Sequence, residues 1–600
     1  MRQGAEDMTD RQRRTAPPET AGARLEAAMA AHRRGQVAEA EQVYRDILGD
    51  APDNAEARHM LGIVHLQQGR LKQAEREVLR ALRVDAGPAK YHNTLGSILF
   101  QRGLHEQAMA ALDAALARDP GFGTAAYNRG RIFMIFGRPG EAEAAFQTAL
   151  RCGARDAGLF IELASALMKQ GRFPEVVEAC REGLTHHPEA PGLRTTLASA
   201  LELSNELAEA EAEARRVREA APDYALARLI LARILRRRDA PEAALETLMP
   251  IFQAELAPSH AAEAYYELGL IHDARAPSGA GASEAFRCFA ASNALQQSSP
   301  AARRHDGERF LGEVRAYRRW LDARPPEGKD KVPGGAPGEA RGAEPAPVFF
   351  VGFPRSGTTL MEQMLKAHPR IVTTQEVTPL APVRAAAARL AAEQGLTFPD
   401  CLDAWGEAVF DDLRQRFRER AQALLGPLEG RTLVDKLPLN IVRLGLIRKL
   451  WPEARILVAL RDPRDACLSC YIQRFTLNSA MVNFLDLERS AAVYAETMAL
   501  WLRSRERLGL DALEYRYEDL VADHERSLRR VLDFIGVGWD PAVAGYREAA
   551  KSQVIRTPSY REVTAPIHQR SVGRWKAYEA ELAPVLPLLA PFVERFGYEA

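Results

Sequence analysis

Residues 347–365 read PVFFVGFPRSGTTLMEQML. The apolar run from Val348 to Phe353 suits a strand buried on both faces. Pro354-Arg355-Ser356-Gly357 reads as a turn, and Thr358 to Leu365 has a helical pattern. Strand, glycine-bearing turn and helix in that order aim backbone N–H groups at an anion. Ser356, Thr358 and Thr359 add hydroxyl donors, and Arg355 adds a charged fork. Gly352 and Gly357 have P-loop spacing, but the next residue is Thr358. A P-loop NTPase carries there the lysine that serves the β- and γ-phosphates. Its loss argues against hydrolysis of ATP or GTP.

A second strand pattern follows in residues 455–469, RILVALRDPRDACLS. Arg461 stands where the apolar run ends, and Ser469 comes about two helical turns later. Ligands of open α/β sheets collect at the carboxyl ends of strands. Two anion sites on one sheet suit a nucleotide with phosphate at both ends of its ribose. Cys467 and Cys470 form a C-x-x-C without a second pair, which reads as two small residues on a helix rather than a redox or zinc site. The six cysteines are thinly spread, as in a reducing compartment without a disulfide framework.

Upstream, residues 322–347 are rich in Pro, Gly and charge and read as a linker. Before the linker the chain repeats every 34 residues. Ala28, Gly62, Gly96, Gly130, Ala164, Ala198 and Ala232 form one series of small residues. Ala40, Ala74, Ala108, Ala142, Ala210 and Ala244 form another, broken once by Val176. Gly35, Gly69, Gly103, Gly137, Gly171, Asn205 and Asp239 form a third, of residue types that tolerate the positive φ of a tight turn. Prolines 52, 120, 188 and 222 fall between repeats. Coincident series at this period are the signature of tetratricopeptide repeats, two helices to a unit, which stack into a superhelix with a concave groove. The groove is expected to hold a peptide or partner protein; the alternatives are a spacer or a dimerisation element. Tyr127, Phe133 and Phe136 serve either the groove or the core.

The catalytic half resembles PAPS-dependent sulfotransferases over about residues 347–600, most closely the tyrosylprotein sulfotransferases and bacterial proteins that join tetratricopeptide repeats to such a domain. The resemblance implies that Arg355, Ser356, Gly357, Thr358 and Thr359 hold the 5′ end of PAPS, and that Arg461 and Ser469 hold its 3′-phosphate. It implies Glu376, 21 residues after Arg355, as catalytic base. Lys436 would be the transition-state lysine, with Arg355 sharing the catalytic charge. Tyr517, Ser559 and Arg574 would also reach the cofactor. No metal is implied. One departure concerns the acceptor: the tyrosylprotein enzymes have arginines shortly after the base, whereas Val377 to Pro382 carries no charge before Arg384, which disfavours an acidic peptide.

The expected architecture is therefore α plus α/β. Residues 1–20 form an unstructured N-terminus, 21–300 the repeat array, 301–346 a final helix and linker, and 347–600 a P-loop-like α/β domain with a central parallel sheet. The expected activity is PAPS-dependent, metal-independent transfer of a sulfuryl group to a hydroxyl on a protein, peptide or glycan, with PAP as product. The rivals are a repeat scaffold with an inactive nucleotide-binding domain, and a P-loop phosphotransferase. His368 is the alternative base. Lys+Arg and Asp+Glu both total 80, so nothing global points to nucleic acid. No apolar run of about 18 residues occurs and the first 20 residues lack the apolar core of a signal peptide, so a cytoplasmic protein without a membrane span is expected. A second copy of the chain is a further candidate partner.

Overall fold

The computed structural model describes residues 20–253, 255–275, 281–326, 345–428, 430–547 and 569–599. The chain divides into two compact units, Met1–Ile230 and Leu231–Ala600.

The first unit is built of helix pairs on the 34-residue lattice. The first helices of the pairs open at Ala21, Ala55, Ala89, Gly123, Ala157 and Pro191, and the second helices at Val37, Leu71, His105, Pro139, Phe173 and Leu207. A seventh pair, Ala225–Arg237 and Pro241–Leu248, keeps the same phase across the unit boundary. The turn series behaves as its residue types require. Gly35, Gly69, Gly103, Gly137 and Gly171 have φ between 68° and 84°, and Asn205 and Asp239 have 66° and 61°. The small residues are where helices touch. A Cβ on Gly62, Gly96 or Gly130 would stand 2.6, 2.8 or 2.4 Å from the side chain of Val78, Leu112 or Phe146 on the paired helix. The second series, Ala40 to Ala244 with Val176, is fully buried. Of the three aromatics, Phe133 is buried, Tyr127 packs beside Phe146, and Phe136 is exposed.

The second unit holds a five-stranded parallel sheet. Its strands are β1 (Val348–Gly352), β2 (Ile371–Thr373), β3 (Thr432–Lys436), β4 (Arg455–Leu460) and β5 (Asp511–Arg516), in the order β2-β3-β1-β4-β5. Parallel neighbours require crossovers, so helices cover both faces. Alternation along β1 divides the core: Phe349 and Val351 belong to one cluster, Val348 and Phe350 to the other.

The first cluster changes the expected boundary. It contains Phe289 from the helix Ala282–Gln297 and Phe310, Leu311, Val314, Tyr317, Trp320 and Leu321 from the helix Gly307–Asp322. These helices were expected to end the repeat array and lead into a linker; instead they share the core of the sheet. The physical reason is their apolar surface, which has aromatic partners on the sheet side: Tyr317 lies 5.8 Å from Phe398, and Phe286 stacks on Tyr471 at 5.1 Å. Residues 327–344, most of the expected linker, lie outside the described residues, as do residues 1–19.

Candidate active site

β1 and β4 are adjacent, and the chain leaves them in opposite directions, toward β2 and toward β5. Their carboxyl ends therefore diverge around a crevice, where α/β proteins bind ligands. Gly352 ends β1; a Cβ there would stand 2.7 Å from the Ala459 carbonyl of β4. The loop that follows curls through two left-handed residues, Arg355 at φ 67° and Gly357 at φ 82°, into the helix Thr358–Lys366. The first amides of that helix have no partner within it. A Cβ on Gly357 would lie 2.4 Å from the ring of Tyr517, which follows β5.

Arg461 comes directly after β4, is 6% exposed, and donates to the Arg355 carbonyl at 2.9 Å. Its guanidinium sits 4.8 Å over the Tyr517 ring and also donates to the Ser571 carbonyl. Its Nε is buried with no hydrogen-bond partner among the described residues. Arg355 Nε donates to Ser469 Oγ at 3.0 Å, so the two expected phosphate sites meet. Arg355, Gly357, Thr358, Thr359, Glu376, Arg461 and Tyr517 line one cavity of about 380 Å³. Ser356 is buried behind this wall, its amide on the Phe353 carbonyl at 3.3 Å.

Beyond β2 and β3 lies a charged triad. Lys436, the last residue of β3, is fully buried, with Nζ 2.7 Å from Glu376 Oε1 and 2.8 Å from Glu362 Oε2. Burial pulls the ammonium's pKa down, but the charges of Glu362 and Glu376 outweigh it and leave it raised. Glu376 keeps a third of its side chain exposed and faces the cavity. Asp435 accepts from the hydroxyls of Thr378 at 2.6 Å and Thr374 at 3.2 Å, while Thr374 accepts the Lys436 amide at 3.0 Å.

Three expected residues lie elsewhere or beyond view. Arg574 pairs with Asp273 at 2.8 Å and stays out of the cavity lining. Ser559 lies outside the described residues. His368 is buried, with Nε2 2.8 Å from the Gly538 carbonyl and Nδ1 accepting the Arg370 amide at 3.1 Å, so both ring nitrogens are engaged away from the cavity. Cys467 and Cys470 are buried thiols; burial pushes Cys470 up to about 12.

Several residues of the site were not anticipated. Asp465 accepts the amides of Gly573 and Trp575, both at 2.7 Å, and so fixes the segment that brings the Ser571 carbonyl to Arg461. Phe310 and Glu313, from the helix Gly307–Asp322, line the far wall with Arg384 and Arg443. Glu313 lies 3.5 Å from Arg384 and 3.6 Å from Arg443. The signals were faint: Asp465 is one acid in a charged stretch, and Glu313 sits among surface-like arginines.

This arrangement defines an α/β protein with an anion-loop geometry at its strand ends, carried behind helical repeats. The model of the sulfotransferase family matches residues 347–541, and models of the tetratricopeptide repeat match 31–98 and 167–234, and 5–55 and 93–157. Residues 347–541 thus resemble the sulfotransferase family, behind stretches that resemble the tetratricopeptide repeat. The chain is 27% identical over 248 residues to an uncharacterized protein of Aquifex aeolicus, covering 40% of this chain but only 32% of that one. It is 26% identical over 280 residues to protein-tyrosine sulfotransferase 2 of Gallus gallus, covering 44% of this chain and 72% of that one. Among solved structures, the repeat protein YrrB is 24% identical and covers 29% of this chain and 91% of its own, with a TM-score of 0.27. Among the described residues no helix is long and apolar enough to cross a membrane.

Proposed function

We propose that the second unit transfers a sulfuryl group from PAPS to a hydroxyl acceptor. The observation that carries this reading is one cavity that joins an anion loop and a second arginine on one side to a lysine-bridged carboxylate on the other. The residues fit such a donor: the amides of Gly357 to Thr359 and the Arg355 fork suit its 5′ end. The unpartnered Nε of Arg461 suits a 3′-phosphate, with Ser469 reaching that group through Arg355. When bound, the donor supplies an activated sulfuryl group on a phosphate leaving group. Glu376, exposed to the cavity, takes the acceptor's hydroxyl proton. Lys436 and Arg355 oppose the negative charge that grows as the sulfuryl group moves. The reaction needs mainly alignment and charge stabilisation, as phosphoryl transfer does.

The acceptor wall favours a hydroxyl without an acidic flank. Arg384 and Arg443 both reach it, but Glu313 already answers their charge. The repeats support a polypeptide acceptor, or a partner that brings one, because concave helical arrays hold extended chains.

Calorimetric titration of the full-length protein with PAP, 5′-AMP and ATP tests the donor assignment. PAP is expected to bind more tightly than 5′-AMP. Arg461→Ala should weaken PAP by about 10- to 100-fold, the worth of a charge-assisted contact, and 5′-AMP far less. Equal weakening of both ligands overturns the 3′-phosphate assignment, and preference for ATP over PAP favours the phosphotransferase rival.

A further inference from the structure

Glu362 lies inside the helix Thr358–Lys366, one turn past the anion loop, and is 1% exposed. The proposed chemistry gives it no task. A carboxylate is costly to enclose unless its charge is answered, and an apolar residue would continue the buried face of this helix. Its two oxygens have separate partners. Oε2 meets Lys436 Nζ at 2.8 Å, and Oε1 accepts the Gln375 amide at 3.0 Å. Gln375 and Glu376 are both left-handed, at φ 49° and 67°, without glycine at either position. Such backbone persists only where its surroundings hold it, and the Glu362–Gln375 contact is one such hold.

The charged and titratable groups that face Glu362 come from three elements. Lys436 and Asp435 come from β3, Glu376 from the turn after β2, and Lys366 from its own helix. Burial raises the pKa of Glu362, the charge of Glu376 adds to this, and Lys436 opposes it. Two carboxylates, of which only Glu376 lines the cavity, thus share one ammonium.

We propose that Glu362 is a positioning residue for transfer, anchoring both Lys436 and the 375–376 turn from behind so that Lys436 keeps its place and charge when Glu376 has taken a proton. The proposal rests on the reading of Glu376 as base. Once protonated, Glu376 is neutral and no longer answers the ammonium. Without Glu362 a fully buried lysine would then lack a counter-ion, at the moment its charge is needed, and burial would favour its neutral form. Glu362 lets the base change charge while the lysine does not.

The test follows PAP formed from PAPS by the full-length protein, with 2-naphthol or solvent water as acceptor, across about pH 6–11.5. The variants are Glu362→Gln, Glu362→Asp and Glu376→Gln, and PAP affinity is measured in parallel by calorimetry. Glu362→Gln keeps an oxygen for the Gln375 amide and should bind PAP within about threefold of wild type, while turnover falls about tenfold or more. The alkaline limb of its pH profile should move to lower pH by about one unit, because losing a negative neighbour makes Lys436 give up its proton more readily. Glu362→Asp keeps the charge but withdraws it, so its alkaline limb should stay in place while turnover falls. An unmoved alkaline limb in Glu362→Gln, or wild-type turnover in either Glu362 variant, overturns the proposal. Wild-type turnover in Glu376→Gln overturns the base reading instead, whatever Glu362→Gln does. Should the wild type form no PAP from PAPS, the transferase reading falls and this proposal with it.

Discussion

At the scale of single residues, Asp435 shows what the sheet tolerates around its site. Its carboxyl is fully buried, and burial, eased by the Thr378 and Thr374 hydroxyls, pushes it up to about 6 from an ordinary 3.8. The folded protein therefore holds a proton that the unfolded chain has released between those two values. This contribution is present below 3.8 and is lost as the pH rises through 6. Asp435→Asn cannot titrate. Urea unfolding of the α/β unit should show the stability difference between pH 4 and pH 7 shrinking by about 3 kcal/mol in this variant. An unchanged difference would assign the pH dependence to other groups. The same scale shows what could be read in advance. Arg355, Arg461 and Tyr517 each stand next to a strand end, a position that apolar runs make visible. Lys436 and Glu376 became visible through family likeness, and they do meet. Glu362 stayed hidden because its role depends on a lysine brought by a distant strand; its one trace was an acid within the apolar run Leu360 to Leu365. Arg574, in contrast, had the right neighbours in sequence and faces another partner.

At the scale of elements, the repeat helices were legible almost to the residue, because each turn needs a left-handed residue and each crossing needs a small one. The turns can be probed individually. Gly103 has φ 75° and open space around it, so Gly103→Ala adds backbone strain without a clash. It should cost about 1–2 kcal/mol, and Asn205→Gly should gain up to about 1 kcal/mol by relieving the same strain. Gly130→Ala drives a methyl group into Phe146 and should cost more than Gly103→Ala, since the core is close-packed. Chemical denaturation of the first unit orders the three; Gly130→Ala as the mildest change would contradict the packing. The helices Pro258–Arg275, Ala282–Gln297 and Gly307–Asp322 were not legible in the same way. Pro258–Arg275 opens within one residue of the 34-residue lattice but the two after it leave it, and their apolar positions do not say which surface they cover. The charge-poor stretch after Glu376 disfavours an acidic peptide, and Arg384 just beyond it does line the cavity, but its pairing with Glu313 needed the fold.

At the scale of the whole molecule, the compact unit that carries the sheet starts at Leu231 rather than after the expected linker. A fragment of residues 345–600 would lose Phe289, Phe310, Tyr317 and Trp320 from the core cluster that covers one face of the sheet. Large buried aromatics typically cost about 3–5 kcal/mol each when truncated, so this fragment should fail to fold. A fragment of residues 225–600 retains them and should bind PAP within about threefold of the full chain. Solubility, circular dichroism and PAP calorimetry distinguish the two; a well-folded, PAP-binding 345–600 fragment would mean that the upstream helices are dispensable.

The ion pair of Arg574 with Asp273, to which Tyr578 adds a hydrogen bond at 2.6 Å, binds the inheritance of two distant stretches of the gene. A lineage that shed the helix Pro258–Arg275, or put a neutral side chain at 273, would leave a half-buried guanidinium unanswered and release selection for arginine at 574. The two positions should therefore change hands together, acid with base, wherever this arrangement has been passed down, and a family tree should record the exchange as paired events.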